Sequence, residues 1–299
     1  MRLLRSIFLV GSAAALSGGL AVSAVTTGAT AAPAVHGATV RAHLTASFRS
    51  EARAALVRGL NRNHGTAWFV HGRPSNTARV ANTGMTSSFN WAGYADVSTA
   101  HGHFTRVSGA WTVPSVVCTA EDRITSDWVG LDGFSSSTVE QDGTVSQCFE
   151  GRAVYYTWYE MYPAGTIAVG TTVAAGDKIK ASVSRSGSAY TLALTDSTRG
   201  ANSFTKHATC ATTTCLDTSA EWIAERPAYS IGIAPEAQFA TVPFSAASET
   251  AAGRTSTISG YSGTNYDITS IDATGTYDIA SVSGLTGGNA FKATWKNSY

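Results

Sequence analysis

The chain has 299 residues, with 21 Lys/Arg against 20 Asp/Glu, 43% hydrophobic residues and only 14% charged ones. That is enough for one large domain or two small ones, and a surface kept soluble by hydroxyls more than by charge suits an exported β protein. Beyond the N-terminal region no apolar run reaches ~18–20 residues, which excludes a multi-pass helical membrane protein. The C-terminal two-thirds also lacks the concentrated basic field of a nucleic-acid binder.

Charge divides the chain. Residues 1–85 hold nine Lys/Arg and one acid, Glu51, for +8, whereas residues 86–299 hold twelve bases and nineteen acids, for −7. Arg2 and Arg5 precede the apolar stretch 7–20 and small-residue sequences such as Ala29-Thr30-Ala31. Residues 1–32 are therefore expected to be a secretory signal peptide, and the protein to be secreted with no membrane contact after its removal. Residues 33–85 read as a basic propeptide and linker: 47–60 can form a helix with Leu56 and Leu60 at i, i+4, and 73–84 form an exposed linker. Its charge, opposite to that of the body, makes it an expected intramolecular inhibitor, held at neutral pH and released in acid as carboxylates protonate and histidines charge.

From residue 86 onward the pattern is all-β. Period-two or β-branched and aromatic runs fall near 89–97, 104–113, 126–132, 152–162, 166–173, 178–185, 188–195, 219–225, 238–244, 254–261, 276–282 and 289–296. Turn chemistry such as Asp142-Gly143, Ser186-Gly187-Ser188 and Gly287-Gly288-Asn289 separates them. About a dozen short strands in residues 86–299 predict a large antiparallel β-sandwich of two sheets. Four cysteines, Cys118, Cys148, Cys210 and Cys215, all follow the leader, an even count that implies disulfides in an exported chain. Of the three possible pairings we expect Cys118–Cys148 with Cys210–Cys215, because the latter two flank a short Ala-Thr-Thr-Thr turn. No C-x-x-C or H-E-x-x-H occurs, so neither a metal nor another cofactor is expected.

Three strands carry more acid and aromatic residues than a structural sheet needs. Alternation places Trp128, Gly130 and Asp132 on one face, Trp158, Glu160 and Tyr162 on another, and Glu221, Ile223 and Glu225 on a third. Acids interleaved with Trp and Tyr describe an aromatic-lined cleft. There is no G-x-S-x-G motif and no D-T-G or D-S-G pair; of the histidines available to the body, His101 and His103 are expected in a hairpin turn and His207 lies just before the cysteine loop. Carboxylate chemistry remains.

Phe89-Asn-Trp-Ala-Gly93, Trp128-Val-Gly-Leu-Asp-Gly133, Val139-Glu-Gln-Asp-Gly143, Trp158-Tyr-Glu-Met-Tyr-Pro163 and Ser219-Ala-Glu-Trp-Ile-Ala-Glu225, in this order, resemble the glutamic peptidases, or eqolisins, over the whole of 86–299. The resemblance implies a sandwich similar to the concanavalin-like lectins, a secreted acid-acting endopeptidase of bacterial type made with a propeptide, polypeptide substrates, and a catalytic Gln/Glu dyad. Gln141 and Glu221 match the dyad. Trp91, Trp128 and Tyr162 would line the cleft, with Asp132 and Glu160 orienting the dyad. Two positions depart from the family pattern: Glu140 stands where an apolar residue is usual, and Met161 replaces a Trp.

The chemistry is consistent with those residue types. An unperturbed Glu, with a pKa of ~4.3, can activate water and then protonate the leaving amine in acid. A Gln amide donates to the oxyanion and does not titrate. Such a cleft needs no second subunit, so a monomer is expected. A lectin or glycoside hydrolase on the same sandwich, with Glu160 and Glu221 as paired carboxylates, is the alternative.

Overall fold

Alternation of buried and exposed side chains builds the sheets. In Lys178–Ser186, Ile179, Ala181 and Val183 are buried while Lys178, Lys180 and Ser186 are exposed. In Ala189–Asp196 the buried set is Tyr190, Leu192, Leu194 and Asp196, and Gly187 turns the chain between the two strands at φ +61°. The computed structural model describes residues 69–70, 83–169, 172–211, 214–229 and 232–298. The expected signal peptide and nearly all of the expected propeptide lie outside the described residues.

The principal strands are β1 (Thr83–Ser88), β2 (Trp91–Val97), β3 (Phe104–Thr112), β4 (Arg123–Leu131), β5 (Val139–Phe149), β6 (Arg152–Tyr162) and β7 (Lys178–Ser186). They continue with β8 (Ala189–Asp196), β9 (Phe204–Thr209), β10 (Ser219–Glu225), β11 (Thr241–Ala251), β12 (Thr264–Ile271), β13 (Asp278–Val282) and β14 (Phe291–Trp295). One layer runs β1-β12-β2-β10-β4-β5-β6, antiparallel except for the parallel pair β1–β12. The other runs β9-β8-β7-β3-β11-β14-β13, antiparallel throughout. The end of β12 also pairs with β13, joining the layers along one side. Among the described residues the only helical turns are Gly200–Asn202 and Ile258–Gly260. This is the antiparallel sandwich that the sequence predicts.

Between the layers pack Tyr94, Val107, Trp111, Val129, Leu131, Val183, Leu192, Trp222, Phe244 and Phe291. Three large rings carry a polar tip that must be satisfied there, and each reaches a hydrogen-bond partner outside its own strand. Trp222 Nε1 of β10 donates to the Ser108 carbonyl of β3 at 2.8 Å, and Trp111 Nε1 of β3 donates to Thr144 Oγ1 of β5 at 2.9 Å. Tyr94 Oη donates to the Ser283 carbonyl at 2.8 Å. Both expected disulfides, Cys118–Cys148 and Cys210–Cys215, are formed.

Some strands were hidden from the sequence pattern. β5 runs straight through Asp142-Gly143, where a turn is expected. Gly143 is there because neighbouring backbone leaves no room: a Cβ would stand 2.3 Å from the Asp127 carbonyl and 2.6 Å from Trp128 Cβ. β1, β9 and β12 also went unread. The loop holding His101 and His103 is no hairpin turn; it carries the chain from β2 in one layer to β3 in the other.

Alternation also puts carboxyls inside. Asp96, Asp127, Glu140 and Asp142 share the inward face with Tyr94, Val129 and Thr144, and all four are fully buried. Burial holds each well above the usual carboxylate range, helped by the Glu249 charge at Asp96, by Glu236 at Asp127 and by Asp132 and Asp217 at Glu140. Burial likewise raises Asp217 to about 6 and Glu236 to about 8. The folded state therefore keeps protons that the unfolded chain releases near pH 4. The stability they contribute is complete below that pH and is lost as pH rises through the folded values. Thermal denaturation of the body should give its highest Tm at about pH 3–4 and a fall between about pH 4 and 8; a Tm that rises across this interval contradicts the assignment.

Candidate active site

The outward face of the first layer gathers the expected residues into one row. By strand register Glu221 of β10 stands opposite both Ala95 of β2 and Gly130 of β4; Gly130 stands opposite Gln141 of β5, and Gln141 opposite Glu160 of β6. Directly paired residues project on the same face, so Glu221, Gln141 and Glu160 all point away from the interlayer core. Between Glu221 and Gln141 stands a single residue, and it has no side chain. With strands ~4.8 Å apart, the two Cα atoms lie about 10 Å from each other, leaving a gap floored by the backbone of Gly130. A Cβ there would meet Trp128 Cζ3 at 2.9 Å and Gln141 Cβ at 3.1 Å.

Trp91, Trp128, Val139, Val145, Tyr156, Trp158 and Ile223 pack together on this face, with Tyr162 against them. The Trp91 and Trp128 rings meet edge to face, with centroids 4.9 Å apart at 78°. Trp91 also reaches Gly133, where an added Cβ would fall 2.9 Å from its Cη2. These two tryptophans are thus both packed and placed at the rim of the row.

Polar contacts orient the row. Gln141 Nε2 donates to Glu160 Oε2 at 2.7 Å, and Thr166 Oγ1 donates to Glu160 Oε1 at 2.9 Å. Glu160 thus holds the Gln141 amide, with Thr166, which carried no sequence signal, behind it. Asp132 acts at one remove. It leaves β4 at φ +67° and accepts from Thr138 Oγ1, from the backbone N–H of Leu216, Asp217 and Thr218, and from Thr218 Oγ1, at 2.7–3.3 Å. Those bonds anchor the chain immediately before Ser219, where the strand carrying Glu221 begins. Glu140 faces the opposite way, toward Asp132 and Asp217, as its alternation with Gln141 requires.

Glu221 has no exposed surface, and neither has Gln141. Burial first, and then the negative charges of Asp132, Glu140 and Asp96, push the Glu221 carboxyl well above its usual range, against a hydrogen bond from Ser219 that lowers it. Glu160 and Glu221 are three strand spacings apart, about 14 Å between Cα atoms, and Glu160 is engaged with Gln141; that is a poor arrangement for a glycosidase carboxylate pair. Glu225, grouped with Glu221 by alternation but given no role from the sequence, accepts from Trp128 Nε1 at 2.8 Å. His207 is exposed on β9, and His103 is bonded to Tyr261, so no histidine of the body joins the row.

Residues 89–290 match the Peptidase A4 family. Aspergillopepsin-2 of Aspergillus niger is 29% identical over 233 residues, which span 69% of this chain and 79% of that protein. Scytalido-glutamic peptidase, solved with a transition state analog inhibitor, has the same fold: TM-score 0.58 at 24% identity, over 69% of this chain and 98% of its own. Aspergilloglutamic peptidase from Aspergillus niger gives a TM-score of 0.50 at 26% identity, over 58% of this chain and 99% of its own. With the family match spanning well over half of its length, the chain belongs to the Peptidase A4 family of glutamic peptidases and is a peptide hydrolase.

Proposed function

We propose that the protein is a secreted, acid-acting endopeptidase, made as a precursor, that cuts polypeptides with Glu221 and Gln141. The observation that carries this reading is the row Glu221–Gly130–Gln141–Glu160, an acid and an amide facing each other across a glycine gap. A scissile carbonyl seated over Gly130 lies between the two side chains. Glu221 takes a proton from water as the water attacks, and later gives it to the departing nitrogen. A primary amide has two N–H groups. Gln141 gives one to Glu160, which sets the orientation of the amide, and the second serves the oxyanion. Once solvent reaches it, Glu221 loses the burial that raises it and can alternate between base and acid at about pH 3–5.

Cleavage of an unfolded protein at about pH 3.5–4 and at pH 7 tests the reading. The matured parent should cut in acid only. Glu221→Gln should lower kcat on the order of 10⁴-fold and Gln141→Ala about 10²–10³-fold. Parental activity in Glu221→Gln contradicts the dyad. Gly130→Ala, which fills the gap and presses on Gln141 Cβ, should reduce kcat/KM by about 10²-fold with the fold retained by circular dichroism.

The precursor reading rests on two supports. The leader carries +8 against a body of −7. Two formed disulfides suit an oxidising, extracytoplasmic setting. A synthetic peptide of residues 33–85 should inhibit the matured body at about pH 6 and lose its grip by about pH 3.5, as its histidines charge and the body's carboxylates neutralise. An inhibition constant that is flat over this interval, or no inhibition at all, contradicts the reading.

A further inference from the structure

Glu225 lies on the same face of β10 as Glu221, four residues further along. Its carboxylate accepts two N–H groups at once: Trp128 Nε1 on Oε2 at 2.8 Å, and Asn90 Nδ2 on Oε1 at 3.3 Å. Asn90 is itself oriented, because Ser88 Oγ donates to Asn90 Oδ1 at 2.9 Å and so fixes which end of the amide faces Glu225. Ser88 Oγ also accepts from the backbone N–H of Asn90 and Trp91, at 3.2 and 3.1 Å. All four side chains are buried. A relay of hydrogen bonds therefore runs from the first strand of the body, through Asn90 and Glu225, to the indole of Trp128.

The other end of that indole is at the gap. Trp128 Cζ3 lies 2.9 Å from the point where a Cβ on residue 130 would stand, between Glu221 and Gln141. Turning the ring over would take Nε1 away from Glu225 and Cζ3 away from Gly130, so the N–H bond selects the orientation that walls the gap. Trp91 braces the ring from its edge. A carboxylate suits this position because it only accepts; an amide would turn an N–H₂ toward one of its two donors.

We propose that Glu225 is a positioning residue of the peptidase reaction, holding Trp128 as a fixed wall beside the gap so that the substrate peptide is seated between Gln141 and Glu221. The proposal rests on the Gln141/Glu221 reading of the site.

The relay can be broken and then repaired. In Glu225→Gln one of the two bonds is lost. In the double variant Asn90→Asp/Glu225→Gln the donor and acceptor are exchanged: the Gln amide donates to the Asp carboxylate while its oxygen accepts from Trp128. The acid-matured full chain is assayed on a peptide series, and the Trp128 indole N–H resonance, assigned with Trp128→Phe, is followed by NMR. Glu225→Gln is expected to raise KM about tenfold with kcat changed less than about threefold, and to shift the indole resonance upfield. The double variant is expected to return both to within about twofold of the parent. If Glu225→Gln does not fold, recovery of parental KM and indole shift in the double variant still supports the relay. A folded Glu225→Gln with unchanged KM and resonance overturns the proposal, as does a double variant that recovers neither. Glu221→Gln in the same assay separates the two claims: persistent activity there defeats the dyad, while the indole resonance still decides whether Glu225 holds Trp128.

Discussion

Asp96, Asp127, Glu140 and Asp142 stand on the faces that the two layers press together, positions a sandwich usually fills with aliphatic side chains. Ion pairs among the described residues engage Glu121, Asp177 and Asp217 instead, so these four keep their burial without a neutralising cation. A carboxyl in that setting is tolerable only as the neutral acid, which is a polar group with one donor and can be packed. The core therefore assembles around protons. Low pH is the condition under which the interior is chemically consistent, and the hydrogen bonds of Trp111, Trp222 and Tyr94 then hold two layers that repel each other least.

The same sheet that buries these acids on one side carries the row of the candidate site on the other, because neighbours along a strand point oppositely. Glu140 and Gln141 are the sharpest instance: one faces a buried acidic cluster, the other the candidate site. Catalytic geometry in such a sheet is set by register, and a side chain two strands away is in reach only if the residue between them gives way. Gly130 gives way. Gly143, by contrast, is dictated by the backbone of β4 pressed against it, and has nothing to do with a turn.

Much of this was legible in the residues. Alternation found ten of the principal strands and the aromatic and acidic face, and the ordered motifs singled out Gln141 and Glu221, which the register brings to one row. What escaped was what alternation does not encode. β5 is buried on both faces yet carries Glu140, Asp142, Thr144 and Ser146 on one of them, so its run Val139–Phe149 shows no apolar edge there, and its glycine looked like punctuation. β12 holds Asp267, Thr269 and Ser270 in buried positions and so lacked the apolar signature of an inner strand. The contacts of Gly130, Thr166 and Glu225 arise from cross-strand neighbours up to 135 residues apart in sequence, as in the Asn90–Glu225 bond. No local pattern carries that information.

The parallel pairing of β1 with β12 sets an order of assembly. Thr83 finds its partner at Asn265, so this pairing of the first strand of the body cannot form until nearly the whole chain has been made, although Phe69–Val70 already pairs with its last two residues. Contacts of such long range delay folding. Ser88 ends that strand and Asn90 follows it, so the N-terminal side of the cleft is fastened by a segment near the C-terminus. A ribosome that stalls between residues 221 and 264 leaves a chain with Gln141 and Glu221 present but without the strand that pairs with β1.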